Sequence, residues 1–225
     1  MNGNFPRVLL AAMTVALALP AAASAKIIEV GEVGDRFPPS CPTNGCEVIS
    51  RTTAYQTRVA GERRQFVAPA DGRVVAWTIS LGKPRKRVRE YFEDTLGGPA
   101  QAGITILRPG ERHFGRVTAE SPLISLTPFF GTTAQFPLVT SLAVNEGDII
   151  ALTVPTWAPA LGLGLGRDSI WRASRNKDAC ADTQKQSAQT DLRDLAQYRC
   201  VYRTARLTYS ATLITAPVPP DAPKS

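Results

Sequence analysis

A period of two governs this chain. In residues 66–81, FVAPADGRVVAWTISL, Pro69, Asp71 and Gly72 supply turn chemistry between two extended runs. Beyond the turn, Val75, Trp77, Ile79 and Leu81 fall on one face and Val74, Ala76, Thr78 and Ser80 on the other. That alternation predicts a half-buried strand with a tryptophan in the core. Residues 145–154, NEGDIIALTV, repeat the device: a Gly147-Asp148 turn feeds a strand whose Ile150, Leu152 and Val154 oppose Ile149, Ala151 and Thr153. Further short strands are expected at residues 27–30, 102–107, 114–119, 123–126, 135–138 and 141–144, divided by Pro, Gly and Asn. Residues 47–60 interleave polar residues with Val, Ile, Thr and Tyr and read as a surface-facing strand; residues 198–203 and 205–215 read as two more, the last with Leu207, Tyr209, Ala211 and Leu213 inward. Short alternating strands, prolines at their margins and no long 3.6-residue period predict an all-β chain, an antiparallel β-sandwich of jelly-roll or Greek-key type. A chain of 225 residues can bury a sizeable core without a metal or cofactor, and none is expected.

The ends carry different grammar. Residues 1–25 have the anatomy of a secretory signal: Arg7 near the start, an apolar run over residues 8–19, then small residues closing on Ala-Ser-Ala, with cleavage expected after Ala25. The apolar run is well short of the ~20 residues a spanning helix needs, and no later segment could span a membrane. Arg7 is the one charged side chain in that segment, so on export the formal net charge falls from +7 to +6 and the chain stays basic. Export explains the even number of cysteines, four. Cys41 and Cys46 bracket the turn sequence Pro-Thr-Asn-Gly, and Cys180 and Cys200 bracket a polar segment, so two local disulfides are the simplest of the three connectivities. Closing such loops stabilises by ~2 and ~3 kcal/mol in the chain-entropy account. A zinc site wants paired C-x2-C knuckles, and these spacings do not supply them. The expected organisation is a signal over residues 1–25, a strand and disulfide loop over 26–46, a sandwich domain over 47–215 and a proline-rich tail over 216–225.

Two stretches break the pattern. Residues 83–96, KPRKRVREYFEDTL, crowd Lys83, Arg85, Lys86, Arg87 and Arg89 together, and Val88, Tyr91, Phe92 and Leu96 would align on one helical face. Such a segment suits an anionic polymer, a lipid surface or an acidic protein partner, or simply a solvated edge. Nucleic acid is not expected: the aromatic residues cluster beside the charges rather than interleaving with them, and export removes most cellular nucleic acid. Residues 155–171, PTWAPALGLGLGRDSIW, read as a glycine-rich lid or crossover with a tryptophan at each end. Trp157 and Trp171 could stack on sugar rings, with Arg167, Asp168 and Arg172 in reach of hydroxyls; core packing is the commoner fate of tryptophan. The Gly162, Gly164, Gly166 run is no phosphate loop, because the third glycine falls one position early and no helix opens after it.

Catalytic inventories mostly fail. The single histidine, His113, sits in Pro-Gly-Glu-Arg-His, a hairpin turn. There is no G-x-S-x-G elbow and no H-E-x-x-H, and one histidine cannot build a three-histidine zinc site. No catalytic residue and no metal ligand is therefore assigned, and the chain is read as non-enzymatic. Carboxylate pairs for glycoside hydrolysis remain as Glu93 with Asp94, Glu146 with Asp148, or Asp178 with Asp182.

The segments FVAPADGRVVAWTISLG, ITILRPG, SPLISLTPFFG, GDIIALTVPTWAPAL, WRAS and YRCVYRTARLTYSATL together resemble an uncharacterised family of secreted bacterial proteins with one β-sandwich domain, over about residues 65–214. The resemblance implies export, a single β-rich domain and the C-terminal cysteines, and it carries no activity. The expectation is a secreted or cell-envelope sandwich that binds carbohydrate or an envelope polymer through the 157–171 loop, or an anionic polymer, lipid surface or protein through the basic segment.

Overall fold

The computed structural model describes residues 24–33, 39, 41, 46–175, 177–181 and 186–217. The expected signal over 1–25, the tail over 216–225 and Asp182 lie wholly or largely outside the described residues. In chain order the strands are β1 (Ile27–Gly31), β2 (Ile49–Val59), β3 (Glu62–Arg63), β4 (Gly72–Ser80), β5 (Gln101–Pro109), β6 (Phe114–Glu120), β7 (Ile124–Ser125) and β8 (Thr133–Val144). They continue with β9 (Ile149–Ala158), β10 (Leu161–Leu163), β11 (Ile170–Ala173), β12 (Leu195–Gln197), β13 (Cys200–Arg203), β14 (Ala205–Leu207) and β15 (Tyr209–Thr215), and one α-helix, α1 (Lys86–Thr95), lies between β4 and β5.

The fold is all-β and antiparallel. One sheet runs β1-β15-β4-β8; the larger runs β12-β6-β5-β9-β2-β11-β13, with β3 added to β2 and β7 to β5. Between the sheets lies one continuous core. Trp77 and Ile79 of β4 and Tyr209, Ala211 and Leu213 of β15 meet Ile104 and Ile106 of β5 and Ile150, Leu152 and Val154 of β9, all buried. The Tyr209 hydroxyl crosses the gap and donates to the Ile150 carbonyl at 2.8 Å. Both expected disulfides are present, Cys41–Cys46 and Cys180–Cys200.

Several expectations need correction. Val75 is not inward: the adjacent residues Leu213 and Thr212 of β15 pair Val74 and Ala76, so Val75 is an extra residue that resets the alternation. Val74 therefore joins Trp77 in the core and Val75 turns outward. The two strands expected at 135–138 and 141–144 are one, β8, with its irregularity opposite that bulge. Residues 47–60 do not face the surface, because β2 is an inner strand between β9 and β11 and nearly all of it is buried. Its hydroxyls are satisfied there: Thr53 Oγ1 meets Thr153 Oγ1 at 2.9 Å, and Thr105 Oγ1 meets the same oxygen at 2.5 Å.

The outer face of the larger sheet is partly covered. Tyr198 lies on Tyr55 with ring centroids 5.1 Å apart, and both pack with Leu107, Val117 and Ala151 in a second small cluster. The middle of β9 is thus buried on both faces, which is why IIALTV is apolar on both.

Candidate anion-binding groove

A bulge in β2 opens the site. Trp171 pairs with Gln56 and Ile170 with Arg58, leaving Thr57 as the extra residue, whose hydroxyl donates to the Ile170 carbonyl at 2.9 Å. By strict alternation Arg58 would point into the core and Val59 out. The inserted residue reverses both: Val59 is buried, and Arg58 lines an outer groove. The β2–β3 hairpin turns at Gly61, whose φ of +87° is open to glycine and strained for other residues, and it sets Arg63 directly opposite Arg58.

Two further strands complete the wall. Ile170 of β11 faces Arg203 of β13, and Arg172 faces Val201. The groove between them has a volume of about 340 Å³ and is lined by Tyr55, Thr57, Arg58, Arg63, His113, Ile170, Arg172, Val201 and Arg203. Four arginines line it and no carboxylate does. None of the four makes an ion pair among the described residues, where the ion pairs are Lys86–Glu90, Arg89–Glu93, Arg108–Asp148 and Arg206–Glu32. Like charges directly opposite on neighbouring strands destabilise a sheet by about 0.2–1 kcal/mol. Arg58 and Arg63 carry that cost, and an anion would relieve it.

The groove's groups are held in place. Arg172 is half-buried and donates through Nη1 to the Tyr198 carbonyl at 2.9 Å; Arg203 donates to the Arg167 carbonyl at 3.3 Å. Tyr198 N–H in turn donates to the His113 carbonyl at 2.9 Å, fixing the hairpin turn at the groove's edge. Desolvation first, then the positive field of Arg172 and Arg199, holds the His113 imidazole below its ordinary range. Guanidinium groups present planar forks that match carboxylate, sulfate or phosphate oxygens in pairs. Chemically, the groove can hold an oxyanion.

The expected sugar platform is not formed. Trp157 belongs to β9, wholly buried, with its indole N–H on the Gly98 carbonyl at 3.1 Å and its ring against Phe92 and Phe130 at 5.1 and 5.5 Å. Trp171 is 4% exposed and stacks on Tyr202 at 4.1 Å. Neither indole offers a face to a ligand. Residues 155–171 are not a lid either, since β9 runs through Ala158 and β10 pairs with β14. Arg167 and Asp168 are exposed on the turn before β11, and of that expected set only Arg172 lines the groove.

The basic stretch forms α1 from Lys86, with Lys83 and Arg85 before it. Phe92 against Trp157 and buried Leu96 anchor it, while Tyr91, expected on the same face, is 62% exposed. Its cations sit at the helix N-terminus, where the macrodipole disfavours them. Lys86 and Arg89 pair with Glu90 and Glu93 one turn on, at 3.7 and 3.6 Å. Gly97, just past this helix, lies near the Arg51 guanidinium, and the seven steps along β2 from Arg51 to Arg58 span about 23 Å at strand rise. Helix and groove are separate surfaces.

Two of the expected carboxylate pairs have one member engaged elsewhere, and the third includes Asp182, outside the described residues. Asp148 accepts from Arg108 at 3.2 Å and from the Asn145 N–H at 2.9 Å, which makes it a turn clamp, and Glu93 pairs with Arg89. Arg58, Arg63, Arg203, Tyr55 and His113 were not legible as a site from sequence. Their one signal is the run of arginines in QTRVAGERR and YRTAR, which gains meaning only once β2, β11 and β13 are known to be neighbours. No protein-family model, no curated protein and no solved structure matches this chain.

Proposed function

We propose that this protein is an exported, non-enzymatic β-sandwich that binds an anionic polymer of the cell envelope or its surroundings in the arginine groove. The observation that carries the reading is the set of four arginines converging from β2, β3, β11 and β13 on one depression with no carboxylate among its lining residues. Export rests on the signal-like residues 1–25; the two disulfides agree with an oxidising compartment, and no helix among the described residues is long and apolar enough to cross a membrane. A polysaccharide ligand survives from the sequence reading, but its contact moves from the tryptophans to the arginines.

The test is retention of oxidised protein on immobilised polygalacturonate against neutral dextran, at low and high salt. Arg172→Gln and Arg203→Gln should each weaken retention on the anionic matrix by about ten- to a hundredfold, the size of one lost charge-assisted hydrogen bond of roughly 1.5–3 kcal/mol, and exposed Arg203→Gln should do so without lowering the unfolding midpoint. Equal retention on dextran, or wild-type retention by both variants, overturns the reading. A second reading, contact through Lys83, Arg85, Lys86, Arg87 and Arg89, draws on their crowding at the N-terminus of α1 despite the dipole. It predicts that Arg87→Gln, not Arg172→Gln, weakens retention.

A further inference from the structure

Resting on that reading of the groove, we infer that its ligand is a linear acidic polysaccharide lying across the strands. The charges form a row at right angles to the strands. Arg63 of β3 opposes Arg58 of β2, Arg58 opposes Ile170 of β11, and Ile170 opposes Arg203 of β13. At ~4.8 Å between neighbouring strands, Arg58 and Arg203 stand about 10 Å apart at the backbone, and the whole row spans about 14 Å. One small oxyanion leaves part of such a row unpaired unless the side chains fold inward from both ends. A chain that repeats its charge can engage both ends.

The surface between the charges selects among polyanions. Ile170 separates Arg58 from Arg203, and Val201, 39% exposed, lies opposite Arg172, so aliphatic surface alternates with guanidinium. A sugar chain presents the same alternation, with C–H ring faces between acidic substituents. Single-stranded nucleic acid instead needs exposed rings on which bases stack. The one aromatic residue of the lining besides His113 is Tyr55, which is 9% exposed and has its ring against Tyr198. An anionic bilayer is the other class of polyanion, but it presents a broad planar layer. That layer would reach the exposed Arg63 and Arg203 and would not follow the depression to half-buried Arg172.

Length dependence tests this. Calorimetric titration of the oxidised protein with galacturonate monomer, trimer and hexamer should show affinity rising by about tenfold for each further arginine engaged, then levelling once the row is spanned. Arg203→Gln, at the end of the row, should remove the gain from trimer to hexamer while leaving the circular-dichroism melt in place. Equal affinity for monomer and hexamer overturns the inference and leaves the groove an anion site. Tighter binding of a single-stranded oligonucleotide or of phosphatidylglycerol vesicles than of the hexamer also overturns it. Failure of all anionic probes overturns the groove itself, and with it the proposed function.

Discussion

Trp157 is the sharpest test of where this chain keeps its tryptophans. Its ring is wholly buried between Phe92 and Phe130, and its N–H is spent on the Gly98 carbonyl. Truncating a buried aromatic to alanine costs about 3–5 kcal/mol through lost burial and the cavity left behind. Against a total of about 5–15 kcal/mol for an ordinary domain, Trp157→Ala should leave a marginal fold. Trp157→Phe keeps most of the ring and loses one hydrogen bond, for about 1–2 kcal/mol in all. Trp171 provides the internal contrast: its ring stacks on Tyr202, but its indole N–H has no acceptor among the described residues. Trp171→Phe therefore loses no hydrogen bond and relieves an unsatisfied donor, so its cost should stay within about 1 kcal/mol. Urea unfolding followed by far-UV circular dichroism, a signal that does not depend on tryptophan, measures all three. Trp157→Ala within about 1 kcal/mol of wild type at unchanged denaturant slope would refute the burial argument and restore the sugar platform.

Two other outcomes follow from the geometry. Replacing Cys180 and Cys200 by serine opens a loop of sequence separation 20, and should cost about 3 kcal/mol in urea unfolding. Because Cys200 begins β13, the strand carrying Val201 and Arg203, the same variant should bind polygalacturonate more weakly; unchanged affinity would mean that β13 is held without the bridge. His113 is the single histidine, so one imidazole resonance reports it. Its folded pKa lies below the ordinary 6.5, so its neutral form contributes stability above that value, and this contribution is lost as pH falls through the lowered pKa. A bound polyanion offsets the field of Arg172 and Arg199, so saturating polygalacturonate should move the His113 titration upward. A titration that does not move places the ligand elsewhere.

The sequence was legible where structure is local. Leu207, Tyr209, Ala211 and Leu213 point inward as their alternation requires, and Cys180 and Cys200 close a loop that short-range pairing already favoured. Counting by two failed at the bulges. One inserted residue at Val75 and one at Thr57 exchange core and surface for the residues that follow, and nothing in local composition marks an insertion that only the partner strand defines. The burial of β2 was hidden for a related reason: Thr53 looks polar until Thr153, a hundred residues on, supplies its partner. The groove is the most non-local feature of all, since Arg58, Arg172 and Arg203 meet only through the strand order β2-β11-β13. The spacing of Phe92 and Leu96 suited a helix without deciding between helix and loop, and Tyr91 could not be placed because nothing packs over its side of α1 closely enough to bury it.

The central claim is that anionic ligand engages the outer groove and not the tryptophans or the basic helix. Guanidinium resonances, assigned by single Arg→Lys substitutions and followed by nuclear magnetic resonance during titration with hexagalacturonate, test it most directly. The account predicts that Arg58, Arg172 and Arg203 shift together and saturably while Arg85 and Arg87 stay near their free positions. Shifts confined to Arg85, Arg87 and Arg89, with the groove arginines silent, would contradict it.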